Sequence, residues 1–133
     1  MGALTRLLEA IVGRAVELPP QLAERYPELR NARYRVGGLP LRVGGLSLGA
    51  TTVSGITLWR TIWVEPGMGW TAELLLHEIR HVQQFQASAS FPVEYVWESL
   101  RRGYYANRFE VDARRYASAR LALSGAPPST QDV

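Results

Sequence analysis

Leu75-Leu76-His77-Glu78-Ile79-Arg80-His81-Val82-Gln83-Gln84 contains both histidines of the chain. On a helix, two residues four apart share one face, about 5–6 Å apart at Cβ, so both imidazoles can reach one metal ion. Glu78 is offset around that helix from His77. It can approach a metal-bound water without being a ligand itself. Leu75, Ile79, Val82 and Gln86 define a separate, mostly apolar stripe. The polar stripe of His77, His81 and Gln84 is therefore expected to point away from the buried face. Thr71 suits an N-cap, and Glu73 lies in the first turn, where the helix dipole favours a negative charge. The pattern predicts a metal-binding helix over residues 71–86.

Upstream, Leu4, Leu7, Leu8, Ile11, Val12 and Ala15 recur at helical spacing and predict an amphipathic helix that packs on the core and ends before Pro19-Pro20. A second short helix is expected around Pro20–Tyr26, so that residues 1–31 are helical. Gly37-Gly38, Gly44-Gly45, Gly49 and Gly55 then punctuate β-branched and aromatic runs. These predict a small sheet over residues 33–65, with strands near Arg33–Val36, Leu41–Val43, Leu46–Val53 and Ile56–Glu65. The last strand would place Ile56, Leu58, Ile62 and Val64 on one face and Thr57, Trp59, Thr61 and Trp63 on the other. Pro66-Gly67 stops it.

Downstream, Ser90 and Pro92 suit the start of a helix that runs to about Arg102 and ends at Gly103. A longer helix is expected from about Tyr104 to Ser124, stopping at Gly125. Residues 92–124 thus form two C-terminal helices. Residues 126–133 are proline-rich and polar and read as a disordered tail. Residues 1–125 read as one α+β domain. Gln83-Gln84 is read as solvated helix surface, Arg101-Arg102 as a helix C-terminus complementing the dipole, and Tyr95 and Trp97 as core.

Composition narrows the chemistry. The chain has 133 residues, room for one core, with 47% hydrophobic and 20% charged residues, as in a globular protein. All 15 basic residues are arginine, the net charge is +3, and the arginines are scattered, which makes nucleic acid an unfavoured partner. There is no cysteine, so disulfides and thiolate zinc sites are excluded. No apolar run approaches the roughly 20 residues needed to span a bilayer. Glu9, Arg14 and Glu17 interrupt what would be a signal peptide's apolar region, and the expected compartment is the cytoplasm.

A catalytic zinc usually has three protein ligands and one open position. A third histidine does not exist here. Gln84 and Ala87 stand where the three-histidine form of the motif requires glycine and histidine, which excludes that form. The third ligand is then a carboxylate, and the downstream candidates are Glu94, Glu98, Glu110 and Asp112. Glu110 is favoured, because Ala113 nearly one turn on lets its helix approach the metal helix closely. An ordinary ion pair between Glu110 and Arg114, worth about a few tenths of a kcal/mol, is the plainer account of the same residue.

His77-Glu78-Ile79-Arg80-His81 followed by Glu110 in an N-x-x-E-x-x-A context resembles gluzincin-type zinc metallopeptidases. More closely, Thr57–Gly67 followed by Leu75–Gln84 resembles the metallopeptidase domain of bacterial toxin and extracellular contractile injection system proteins. That family has a strand of the type T-x-G-x-x-I-x-V/F, then P-G, then L-x-H-E-x-x-H-V-x-Q. Trp59 stands where the family has a small residue. The resemblance covers about a quarter of the chain, and nearer half with the Glu110 segment. It implies a zincin-like domain, with His77, His81 and Glu110 binding Zn²⁺ and Glu78 as general base. The expected reaction is hydrolysis of a peptide or protein substrate. Tyr104, Tyr105, Asn107 and Arg114 are candidates to stabilise the oxyanion or to orient the ligands. A non-catalytic, zinc-stabilised interaction module attached to a larger bacterial assembly is the competing expectation. A peptidase acting on nucleic-acid-bound proteins is a third, supported only by the basic pI.

Overall fold

The computed structural model describes residues 2–38, 40, 55–67 and 70–125. Along the chain these form α1 (Ala3–Val12), β1 (Arg14–Val16), α2 (Pro20–Arg25), a 3₁₀ turn (Pro27–Asn31), β2 (Arg33–Val36), β3 (Gly55–Leu58), β4 (Thr61–Val64), α3 (Ala72–Ala87), α4 (Phe91–Ala106) and α5 (Arg108–Ser124). The described residues thus make an α+β fold with five α-helices and a mixed four-stranded sheet in the order β1-β2-β4-β3. β2 and β4 run parallel, and the outer pairs are antiparallel. The expected strands Leu41–Val43 and Leu46–Val53 and the tail from Ala126 lie outside the described residues. No helix among the described residues is long and apolar enough to cross a membrane.

The central element is α3. Thr71 caps it as predicted, its Oγ1 accepting from Leu74 N at 3.1 Å. One side of α3 meets the sheet and the other lies along α5. Two sides are therefore buried, and Leu75, Leu76, Ile79 and Val82 all have almost no exposed surface. They pack with Leu22, Tyr26 and Leu29 of the α2 region and with Ile62 and Val64 of β4. From α5 the buried positions are Glu110, Ala113, Ala117 and Leu121, an i, i+3, i+7, i+11 stripe. The two alanines bring the α5 backbone close to α3. Farther along, Glu28 Oε2 accepts from Tyr116 Oη and Arg120 Nε, both at 2.7 Å, and ties α5 to the 3₁₀ turn.

Three expectations are corrected. The single strand Ile56–Glu65 is a hairpin: Leu58 pairs with Thr61 and Thr57 with Ile62 across a turn at Trp59-Arg60. Trp59 has φ 54, the left-handed region. There a small residue, lacking the Cβ clash, fits with least strain. The turn reverses the alternation, so Thr57 joins Ile62 and Val64 on the buried face while Leu58 is exposed. Trp59 and Trp63 are not core: Trp59 is exposed, and Trp63 Nε1 donates to Val12 O at 2.8 Å.

The second correction concerns α1, which buries none of its residues. Its leucines are exposed, Leu4 by 68%. What holds α1 is its C-terminal end. Trp63 and Arg35 Nε both donate to Val12 O, Arg35 Nη2 donates to Gly13 O, and Gly13 turns the chain at φ 77. A Cβ on Gly13 would lie 2.7 Å from Gly37 O, so only glycine passes there.

The third concerns the C-terminal helices. α4 continues to Ala106 past a kink at Gly103, where φ 79 and ψ 167 are non-helical. α5 starts only at Arg108, because Asn107 Oδ1 accepts from Phe109 N at 2.8 Å and caps it. Ser90 makes no capping bond with its side chain, and Trp97 is exposed rather than core. Ala113→Leu, which forces α5 away from α3, is expected to cost about 1–3 kcal/mol in urea unfolding. Leu100→Ala, at a site 77% exposed, is expected to stay within about 0.5 kcal/mol.

Candidate metal centre

α3 presents His77, Glu78 and His81, whose ligand atoms lie within 4.8 Å of one another. Glu110, in the first turn of α5, comes closer still. Its Oε1 is 2.8 Å from His77 Nε2 and its Oε2 is 3.1 Å from His81 Nε2. Glu78 stands farther off, with Oε2 3.9 Å from His77 Nε2, and its Oε1 accepts from the Thr57 hydroxyl at 2.9 Å. Glu110 thus faces both imidazoles, whereas Glu78 is held to the side by β3. Gly55 permits that approach, since a Cβ there would lie 3.4 Å from Glu78 Cγ.

The histidines do not point away from the buried face. His81 is only 6% exposed, because α5 covers the polar stripe of α3. Such burial is costly unless each polar atom has a partner. Among the described residues no buried side-chain nitrogen or oxygen lacks one. Tyr95 Oη donates to Glu110 Oε2 at 2.5 Å, so Tyr95 is a site residue and not plain core. Gln84 is not solvated surface either. Its Oε1 faces His81 Nδ1 at 2.7 Å, and its Nε2 donates to Phe109 O and Asp112 Oδ2. Neither role was visible in sequence, because the partners lie 15 to 28 residues away on other helices.

The other carboxylate candidates are engaged elsewhere. Glu94 Oε2 accepts from the hydroxyls of Ser88 and Ser90, and its Oε1 from Arg108. Glu98 is buried, accepts from Arg108 N at 3.2 Å, and pairs with Arg102. Asp112 pairs with Arg80 Nε at 2.7 Å. Of the proposed donors, Asn107 is fully buried and donates to Tyr95 O and Ser99 Oγ besides capping α5. Tyr105 is exposed beneath the Arg114 guanidinium, which sits 4.2 Å above its ring and bonds its carbonyl. Tyr104 is the candidate that faces the centre. Burial, and then the charges of Glu110 and Glu78, push its phenol pKa up.

The electrostatics follow from the contacts. Burial by itself pushes the His81 pKa down. The hydrogen bond to Glu110, the charges of Glu78 and Glu110, and Gln84 outweigh it and raise the value from 6.5 to about 9. Burial would likewise raise Glu110, but His77, His81 and Tyr95 hold its carboxyl well below the usual range. The donor set is two imidazole nitrogens and a carboxylate converging from two helices. That matches the three-ligand, one-open-position chemistry of a catalytic zinc site.

In metal-free protein the buried pair has a defined pH signature. His81 has a raised pKa, so its contribution to stability is complete below 6.5 and is lost as pH rises through about 9. Glu110 has a lowered pKa, so its contribution is complete above 4.5 and is lost as pH falls toward its folded value. Thermal melts of chelator-treated protein are therefore expected to show Tm falling between these two histidine values. The fall should be shallower in Glu110→Gln, and parallel curves would refute the pairing. Comparison with known proteins finds no matching protein-family model, curated protein or solved structure.

Proposed function

We propose that the chain is a zinc-dependent peptidase of zincin-like, gluzincin type, with His77, His81 and Glu110 holding the metal and Glu78 as general base. The observation that carries this reading is the Glu110 carboxylate, which meets both imidazole Nε2 atoms from a separate helix, at 2.8 and 3.1 Å. The resemblance to the metallopeptidase domain of toxin and contractile injection system proteins points the same way.

Zinc at this site supplies a Lewis acid that acidifies water and polarises a carbonyl. Glu78 has one oxygen held by Thr57 and the other free on the His77 side, which suits it to take a proton and not to bind metal. It accepts the proton of the water that attacks the scissile carbonyl carbon. It then returns that proton to the leaving nitrogen as the C–N bond breaks. Tyr104 is placed to donate to the oxyanion, and Tyr95 holds Glu110 in place. Among the described residues β3 is an edge strand and carries Thr57 beside Glu78, so an extended peptide added along β3 would pass the base.

The second reading, a zinc-stabilised interaction module, is favoured by one observation. α1 and the outer face of α4 both carry exposed apolar stripes, the latter from Val93, Val96, Trp97 and Leu100. Such stripes mark contact surfaces more often than solvent faces.

Glu110→Ala is expected to lose zinc on dialysis, read by metal analysis. Glu78→Gln should keep zinc and lose cleavage of an unfolded protein by about 10²–10⁴-fold. Tyr104→Phe should lower kcat by about 10²-fold with little change in KM. If wild type and Glu78→Gln both hold zinc and are equally inert on a broad peptide library, the interaction module becomes the better reading.

A further inference from the structure

We infer that Gln84 is a positioning residue that locks His81 in a single tautomer, and that α5 imposes this lock through the orientation of the Gln84 amide. Gln84 Nε2 faces two groups that can only accept, Phe109 O at 3.1 Å and Asp112 Oδ2 at 2.9 Å. Turning the amide over would set its oxygen against a carbonyl and a carboxylate. The amide oxygen must therefore face His81 Nδ1, where it lies at 2.7 Å. A carboxamide oxygen only accepts, so Nδ1 carries the hydrogen. In the neutral ring the lone pair is then on Nε2, the atom turned toward Glu110.

Asp112 does not float in this chain. Arg80 Nε and Nη2 hold its two oxygens at 2.7 and 3.3 Å, Arg80 Nη1 reaches Gln83 Oε1 at 2.8 Å, and the guanidinium lies 5.1 Å over the Tyr116 ring. Phe109 and Asp112 flank Glu110 on α5. One stretch of helix thus presents a carboxylate to one nitrogen of His81 and dictates what the other nitrogen must be. A ring held at both nitrogens has one orientation as well as one tautomer. The consequence for metal affinity rests on the zinc reading above; the tautomer lock does not.

The test uses protein labelled with ¹⁵N-histidine, chelated and then titrated with zinc. With only two histidines, His77 is the internal control. A slowly exchanging Nδ1–H resonance of His81 is expected in wild type and in Gln84→Glu, which keeps the acceptor. It should vanish in Gln84→Leu, with the His77 signals unmoved, and zinc affinity there should fall about 10- to 100-fold. Asp112→Ala removes one of the two groups that orient the amide and is expected to shorten the lifetime of the resonance, a check that does not need Gln84→Leu to fold. Absence of the resonance in wild type, or unchanged lifetimes in the variants, overturns the inference. If the resonance behaves as expected but wild type takes up no zinc, the lock stands and the zinc reading fails. Equal zinc affinity in wild type and Gln84→Leu overturns the consequence for affinity.

Discussion

The Glu110 carboxylate between the imidazoles of His77 and His81 is the contact on which the rest of the molecule depends. A helix that carries two histidines into its own buried interface exposes the fold to a large desolvation cost unless a charged partner meets them. α5 brings that partner, and several features exist to deliver it. Ala113 and Ala117 let the two backbones approach. Asn107 caps α5, and buried Glu98 accepts from Arg108 N, which fixes where the helix begins. Glu110 consequently lies in the first turn, where the helix dipole also favours its charge.

Around that contact each chemical group is held by a different element. β3 holds Glu78 through Thr57, α4 holds Glu110 through Tyr95, and α5 holds His81 through both Glu110 and Gln84. None of these partners is near its target in sequence. Such a network is stable only when every member is satisfied, since the low dielectric that strengthens a complete network also penalises a broken one. It therefore couples the arrangement of three helices and a hairpin to the geometry of a few side chains. The apolar surfaces that this inward-turned design leaves over, on α1 and on the outer face of α4, remain exposed.

How far each part could be read from sequence follows from how local its cause was. The N-cap at Thr71 and the strand Arg33–Val36 depend on neighbouring residues and were legible. The hairpin was not, because Trp59 takes a left-handed conformation that tryptophan does not advertise, and the alternation read straight through the turn. α1 has an apolar stripe and was expected on the core. Its anchor is instead the carbonyl of Val12, and no periodicity of side chains reports a backbone acceptor. The polar stripe of α3 was read as outward because amphipathicity distinguishes faces by polarity, whereas a central helix with a satisfied polar site buries both kinds of face.

The sequence alone determined the pair of histidines, their shared helical face, the exclusion of a third histidine or of thiolate ligands, and the short set of carboxylates left to consider. Those follow from residue identity and helical spacing, which are local. Tertiary structure decided which carboxylate meets the imidazoles, that Glu78 is drawn aside by Thr57, and that Gln84 and Tyr95 belong to the site. Those depend on how α4 and α5 fold back over α3, and hydrogen-bond partners 15 to 33 residues apart leave no trace in a local pattern.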